Sequence, residues 1–374
     1  MEESSGGSAA NVARGAAALA RTRARRLGQA TRVPNGDADD HLQQCVAFAG
    51  KVGRDARGAA YAAALHARGV APLLAESQST PTGVCVALVD GASGQRTMRP
   101  FLGAAAEMRA EDFERVAGEA LKCGACRLLA IEGYQLWKVG LTEAAAAAAR
   151  AAGAAVALDL ASWELVRARG AQIAALLDAG ALDVLLMNED EAEELLVVKA
   201  AGDEDVGAED AAAKEAAALA RDEGAADGDV SAALRGKLAI AARALRRATC
   251  APGRARVASV SLGADGCAVR ARGGACARVR APHANCIDTT GAGDSFAAAF
   301  LWELLENGAL DTDGPIDSGG ADLQRAVEAA ATAGCAAGAA AVAAVGAELP
   351  DVTWAQVEAE AAVRRGRPTS DGTL

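Results

Sequence analysis

The chain reads as an α/β protein, a mostly parallel sheet with helices on both faces and a small β appendage. Three observations carry that expectation. Short apolar runs alternate with helix-patterned segments through most of the 374 residues, as strands joined by crossover helices do. Aromatic residues make up 3% of the chain against 52% hydrophobic residues overall, so alanine supplies much of the apolar surface, which favours helices packed closely on a sheet. The length suffices for one large α/β domain or two small ones, with an ample core.

In chain order, Cys45 to Phe48 reads as a short strand and Ala56 to Arg68 as a helix stopped by Gly69. Thr82 to Asp90 and Arg96 to Leu102, joined across Gly91-Ala-Ser-Gly94, read as a β-hairpin. Leu128 to Ile131 is a buried strand, followed by an alanine-rich helix over Thr142 to Ala152. The runs Ala154 to Leu160, Val184 to Met187 and Val257 to Leu262 are further apolar strands. The patterns between them predict helices over Trp163 to Ala179, Glu189 to Val197 and Ala232 to Ala248. Two more helices are expected over Ser295 to Asn307 and Leu323 to Ala344. Residues 199–231, rich in Ala, Gly, Asp and Glu with little periodicity, read as an insertion forming a solvated loop or weak helix. Residues 310–320 are turn chemistry between two helices, and 362–374 form a tail.

Acidic residues outnumber basic ones, 49 to 38, for a formal charge of −11. That balance disfavours binding to a nucleic-acid backbone, and no apolar run reaches membrane-spanning length without a charge or glycine. The arginines between Arg14 and Arg32 faintly resemble a transit peptide, but Glu2 and Glu3 argue against one. The cytoplasm is the default compartment, with an organelle such as a plastid still open. The nine cysteines are expected as buried thiols in a reducing compartment. Cys123-Gly-Ala-Cys126 lacks a second such pair, and His41, His66 and His283 show no ligand spacing.

The most informative run is Asp288-Thr-Thr-Gly-Ala-Gly-Asp-Ser-Phe296, followed by small, helix-favouring residues. Gly291, Ala292 and Gly293 let backbone N–H groups converge on an anion at a helix N-terminus, where the dipole favours negative charge. Asp294 then falls in the first turn, where a carboxylate beside a phosphate cradle is a base for an attacking hydroxyl. The plainer alternative is an ordinary helix cap. Asn188-Glu-Asp-Glu191 follows an apolar strand directly. Side chains at the carboxyl end of a parallel strand face the ligand crevice, and an amide with a carboxylate three residues on suits water-mediated magnesium. An acidic helix start stabilised by the dipole is the competing reading. Val260-Ser261-Leu262-Gly263-Ala264-Asp265-Gly266 ends another strand in a glycine-bearing turn.

The run 288–296 resembles the C-terminal signature of the ribokinase-type (pfkB) sugar and nucleoside kinases. Asn188-x-x-Glu191 is similar to that family's magnesium motif, and the run around Ser261 and Gly263 to its nucleotide-side loop, with Ser in place of Thr. Gly6-Gly7-Ser-Ala-Ala-Asn11 resembles its substrate-side signature, and Gly50-Lys-Val-Gly-Arg-Asp-Ala-Arg-Gly58 its Gly-x-Val-Gly-x-Asp-x-x-Gly segment. These motifs occur in the family's order from residue 6 to about 350. The resemblance implies one Rossmann-like three-layer domain over 1–374, with residues 82–102 as a β lid. It implies ATP-dependent phosphorylation of a sugar or nucleoside hydroxyl, with Asp294 as base and Gly291, Ala292 and Gly293 donating to the transferring phosphate. ATP would contact Asn188, Ser261, Gly263 and Gly266, Mg2+ would sit by Asn188 and Glu191, and a monovalent cation is left open as a further cofactor. Gly6, Gly7 and Asn11 would meet the acceptor, and a homodimer through the lid is a further expectation. The family also carries a strand with an acidic residue ahead of the Gly-Gly run, where this chain has five residues. That departure implies an absent first strand, and its rival function is an impaired, truncated kinase fold serving as a binding or scaffold subunit.

Overall fold

The computed structural model describes residues 5–26, 45–89, 96–198, 208–220, 231–250, 255–311 and 321–364. Its centre is a six-stranded sheet in the order β10-β9-β8-β7-β6-β5. Strands β5 (Leu128–Glu132), β6 (Ala155–Asp159), β7 (Val184–Asn188) and β8 (Val257–Ser261) run parallel. The antiparallel β9 (Cys267–Ala271) and β10 (Cys276–Val279) complete one edge. A separate parallel pair, β1 (Ala47–Gly53) and β2 (Ala71–Ser77), holds the chain's earlier strands. The antiparallel hairpin of β3 (Thr82–Val89) and β4 (Arg96–Gly103) forms as its turn residues predict, although residues 90–95 lie outside the described residues.

Alternation along the strands builds the three layers. Val156, Leu158, Leu185, Met187, Ala258 and Val260 point to one face. There they pack on α3 (Ala110–Lys122), α4 (Leu141–Ala151), α5 (Trp163–Asp178), α6 (Glu189–Val197) and α8 (Ala232–Thr249). Ala155, Ala157, Val184, Leu186 and Val257 point the other way, onto α9 (Ala292–Glu306) and α10 (Ala321–Val342). Behind those helices α1 (Ser8–Arg26) and α11 (Asp351–Arg364) add an alanine-rich layer around Leu19, Ala298, Ala337 and Trp354. Small side chains permit this close approach: a Cβ on Gly15 of α1 would fall 2.7 Å from Ala298 and 2.9 Å from Trp354.

Several elements differ from the sequence expectation. The N-terminal arginine-rich stretch is a helix, α1, whose apolar face rests on α9. β2 forms despite Pro72, which is tolerated because β1 is its one partner in the pair. α3 and α11 escaped the sequence reading, and α11 carries 362–364 of the expected tail into a helix. Within the 199–231 insertion, α7 (Ala208–Ala220) is a regular helix because Ala212 and Leu219 bury themselves, Leu219 in the α8 side of the core. The remaining insertion residues, 199–207 and 221–230, and turn residues 312–320 fall outside the described residues.

The expectation of buried thiols needs correction. Cys267 and Cys335 are buried, whereas Cys45, Cys85, Cys123, Cys250 and Cys286 are exposed. All nine are free. Among the described residues no helix is long and apolar enough to cross a membrane.

Candidate active site

The parallel strands end level with one another, and the registers set a row of polar residues along that end. Glu132 of β5 pairs with Asp159 of β6, and Asn188 of β7 with Ser261 of β8. Backbone direction places ligands outside the carboxyl ends of such strands. Two helix N-termini come to the same place. Gly291 caps α9 in the left-handed region at φ +74, which favours glycine. A Cβ there would also lie 2.6 Å from the Ala347 Cβ. Asp288 holds the approach to this cap by accepting from Thr290 N and Oγ1 at 2.9 and 2.6 Å and from Gly346 N at 2.9 Å. Nothing lies within 4 Å of the Cβ position of Gly293, so there is open space beside the first turn of α9, where Ala292 N donates to Thr289 O at 3.4 Å and a helix N-terminus favours an anion.

Asp294 is the junction of the site. Asn11 Nδ2 donates to its Oδ2 at 2.7 Å, and Ser8 Oγ lies 2.7 Å from its Oδ1. Both partners stand in the first turn of α1, so the packing of α1 on α9 brings them to the carboxylate. Arg14 orients Asn11 by donating to its Oδ1 at 3.1 Å, leaving the amide nitrogen for Asp294. Arg14 is itself buried and held by Glu348 at 3.2 Å. Gly6 and Gly7 precede α1, Gly7 at φ +110, and no atom lies within 4 Å of the Cβ position of Gly6.

Asn188 and Glu191 form a capping box at the start of α6. Glu191 N donates to Asn188 Oδ1 at 2.9 Å, while Asn188 N and Nδ2 donate to the two Glu191 carboxylate oxygens at 2.8 and 2.9 Å. Glu191 is buried, and burial first, then the Asp159 charge, pushes its carboxyl up to about 8. Burial also raises Asp159, to about 6, with the Asp294 charge adding to it. Glu132 is pushed up to about 8 by burial, with Asp159, Asp294 and Glu191 contributing like charge. This oxygen-only, electron-rich corner suits a hard divalent cation that keeps its waters. Among the described residues, however, no group of three or more His, Cys, Asp or Glu is arranged to hold a metal directly.

The turn after β8 carries Gly263 at φ +60, with open space at its Cβ position. Gly266 answers to the hairpin backbone: it lies at φ +95, and a Cβ would come within 1.9 Å of Val279 O. Lys237 of α8 ties this turn to α6, with its ammonium 3.1 Å from Asp265 and 3.0 Å from Glu189.

Thus the structure gathers Asn11 and Asp294 by direct contact, and sets Asn188 and Ser261 on adjacent strand ends. Sequence reasoning missed Ser8, Glu132 and Asp159. The signal for the two acids was present, since Leu-Leu-Ala-Ile-Glu132 and Ala-Val-Ala-Leu-Asp159 are apolar runs ending in a carboxylate, as Val-Leu-Leu-Met-Asn188 ends in an amide. The β3–β4 hairpin leaves Val84, Val86, Leu88, Met98, Phe101 and Leu102 exposed, with apolar residues on both its faces.

The family model described as pfkB family carbohydrate kinase matches residues 1–227 and 230–354. Among solved structures, the chain is similar to a probable sugar kinase from Rhizobium etli, with a TM-score of 0.62 and 21% identity, covering 96% of this chain and 82% of that one. Adenosine kinase from Sinorhizobium meliloti gives a TM-score of 0.62 and 23% identity over 96% of this chain and 84% of that one. Ribokinase from Giardia lamblia gives 0.60 and 18% over 95% and 89%. A search of curated proteins finds no match.

Proposed function

The chain belongs to the pfkB family of carbohydrate kinases, and from that premise we propose that it transfers the terminal phosphoryl group of ATP to a hydroxyl of a sugar or nucleoside. The observation that carries this reading is Asp294, held in the first turn of α9 by Asn11 from α1 and following directly on Gly293, whose Cβ position faces open space. In this role Asp294 takes the acceptor proton as the hydroxyl oxygen bonds to the γ-phosphorus and the bond to the bridging oxygen breaks. The α9 amides stabilise charge on the transferring group.

Gly6, Gly7 and Asn11 face the acceptor in this reading, and Asn188, Ser261 and Gly263 the nucleotide, with Gly266 shaping the turn. Asn188 and Glu191 would hold Mg2+ through water, and the bound ion would offset phosphate charge. The β3–β4 hairpin serves as the lid, one apolar face toward the acceptor and the other available to a second copy in a homodimer.

Thermal-shift measurements with ATP, then with a panel of sugars and nucleosides, test the assignment, because a catalyst responds to both. Asp294→Asn is expected to abolish ATP-dependent phosphorylation with nucleotide binding nearly intact. A loss of about a hundredfold or more fits a general base, and a variant keeping more than about a tenth of the turnover would overturn the role of Asp294.

A further inference from the structure

Ser8 Oγ lies 2.5 Å from Glu132 Oε2 and 2.7 Å from Asp294 Oδ1. A serine hydroxyl has one proton to give and lone pairs to receive. Two ionised carboxylates cannot both accept from it, so one of the two must itself carry a proton and donate to Ser8. The surroundings decide which. Asp294 lies in the first turn of α9, where the helix dipole favours a negative charge, and it accepts from Asn11 Nδ2. Glu132 stands at the carboxyl end of β5 beside Asp159, with the Asp294 and Glu191 charges also facing it from α9 and α6. Burial and these neighbours raise Glu132 to about 8.

Resting on the reading of Asp294 as base, we propose that Glu132 and Ser8 are positioning residues for it, Glu132 as the neutral acid donating to Ser8 Oγ and Ser8 donating in turn to Asp294 Oδ1. No proton changes owner in this arrangement. Its effect is to commit the Ser8 proton to Asp294, fixing the carboxylate plane and sparing the base an adjacent ionised acid. When Glu132 ionises, the two carboxylates compete for one proton and repel each other.

Glu132→Gln keeps a neutral donor toward Ser8, whereas Glu132→Ala removes it. The first test needs no substrate: thermal unfolding of the full chain from about pH 5 to about pH 9, wild type against Glu132→Gln. The folded Glu132 carboxyl titrates above its ordinary value of 4.5. Its contribution to stability is therefore complete below that value and is lost as pH rises toward about 8. Wild-type Tm is expected to fall more across this range than that of Glu132→Gln, and equal falls overturn the proposal. The second test is turnover at neutral pH on an acceptor from the sugar and nucleoside panel. Glu132→Gln is expected to exceed Glu132→Ala and Ser8→Ala by about tenfold or more, and a Gln variant as poor as the Ala variants overturns the proposal. Retained turnover in Asp294→Asn would remove the base reading by itself, while the pH dependence of melting still reports the protonation of Glu132.

Discussion

Asn11 and Asp294, 283 positions apart, meet through a 2.7 Å hydrogen bond from amide to carboxylate. The contact exists because α1 lies closely against α9, with Gly15 set over Ala298 where they meet. The carboxylate proposed as the base on one helix is thus oriented from another, and Arg14 fixes the orienting amide in turn.

Asn11→Ala removes a hydrogen bond to a charged group, worth about 1.5–3 kcal/mol where it is made. If it holds the base, kcat falls on the order of tenfold to a hundredfold, and steady-state kinetics with a Tm control measures it. Asn11→Asp sets a like charge against Asp294 and is expected to be worse. Unchanged kcat in both variants would remove Asn11 from the site.

Gly291→Ala and Gly293→Ala separate backbone demand from ligand access. At Gly291 the added methyl meets Ala347 at 2.6 Å in a left-handed conformation, and the two costs sum to about 2–5 kcal/mol, readable by urea unfolding. At Gly293 the methyl meets nothing within 4 Å, so stability is expected to hold while phosphoryl transfer falls because the methyl occupies the anion space.

Lys237→Met cuts the tie between the β8–β9 turn and the start of α6. Both pairs are partly exposed, so stability is expected to change by no more than about 1 kcal/mol. The turn beside Gly263 loses its anchor, and the KM for MgATP is expected to rise severalfold with kcat nearly constant. A variant with wild-type KM and a large stability loss would contradict this.

Asp55, which caps α2 (Ala56–Ala67), joins the end of β1 to the start of the hairpin. It accepts from Thr82 N at 2.8 Å, Thr82 Oγ1 at 2.7 Å and Gly58 N at 2.8 Å, and these donors hold its carboxyl down at about 2. A depressed carboxyl stabilises fully above its ordinary 3.8 and loses that contribution as pH falls toward 2. Asp55→Asn is expected to melt lower at neutral pH and to lose less Tm on acidification, as a pH series of melting curves would show.

Much of the fold was legible in the chain order because its causes are local. Apolar runs such as Val184 to Met187, bounded by polar residues, are strands wherever the chain takes them. Asp288 to Asp294 was equally legible, since a left-handed glycine cap and a first-turn aspartate are demands on consecutive residues. The Asn188 and Glu191 pair was legible for the same reason, three residues apart on one turn.

Two helices, α1 and α7, have patterns that are weak until packed. α1 is an arginine-studded stretch whose alanines become a buried face against α9, and α7 depends on Ala212 and Leu219 finding the core.

The sequence by itself determined the alternation of strands and helices, the glycine-capped turn leading to Asp294, and the strand-end pair Asn188 and Glu191. Only the tertiary structure decided that Ser8, Asn11 and Glu132 converge on that aspartate. Backbone conformation follows from neighbours in the chain, whereas the meeting of side chains from β5, α1 and α9 depends on sheet register and on how closely two small-residue helices can approach.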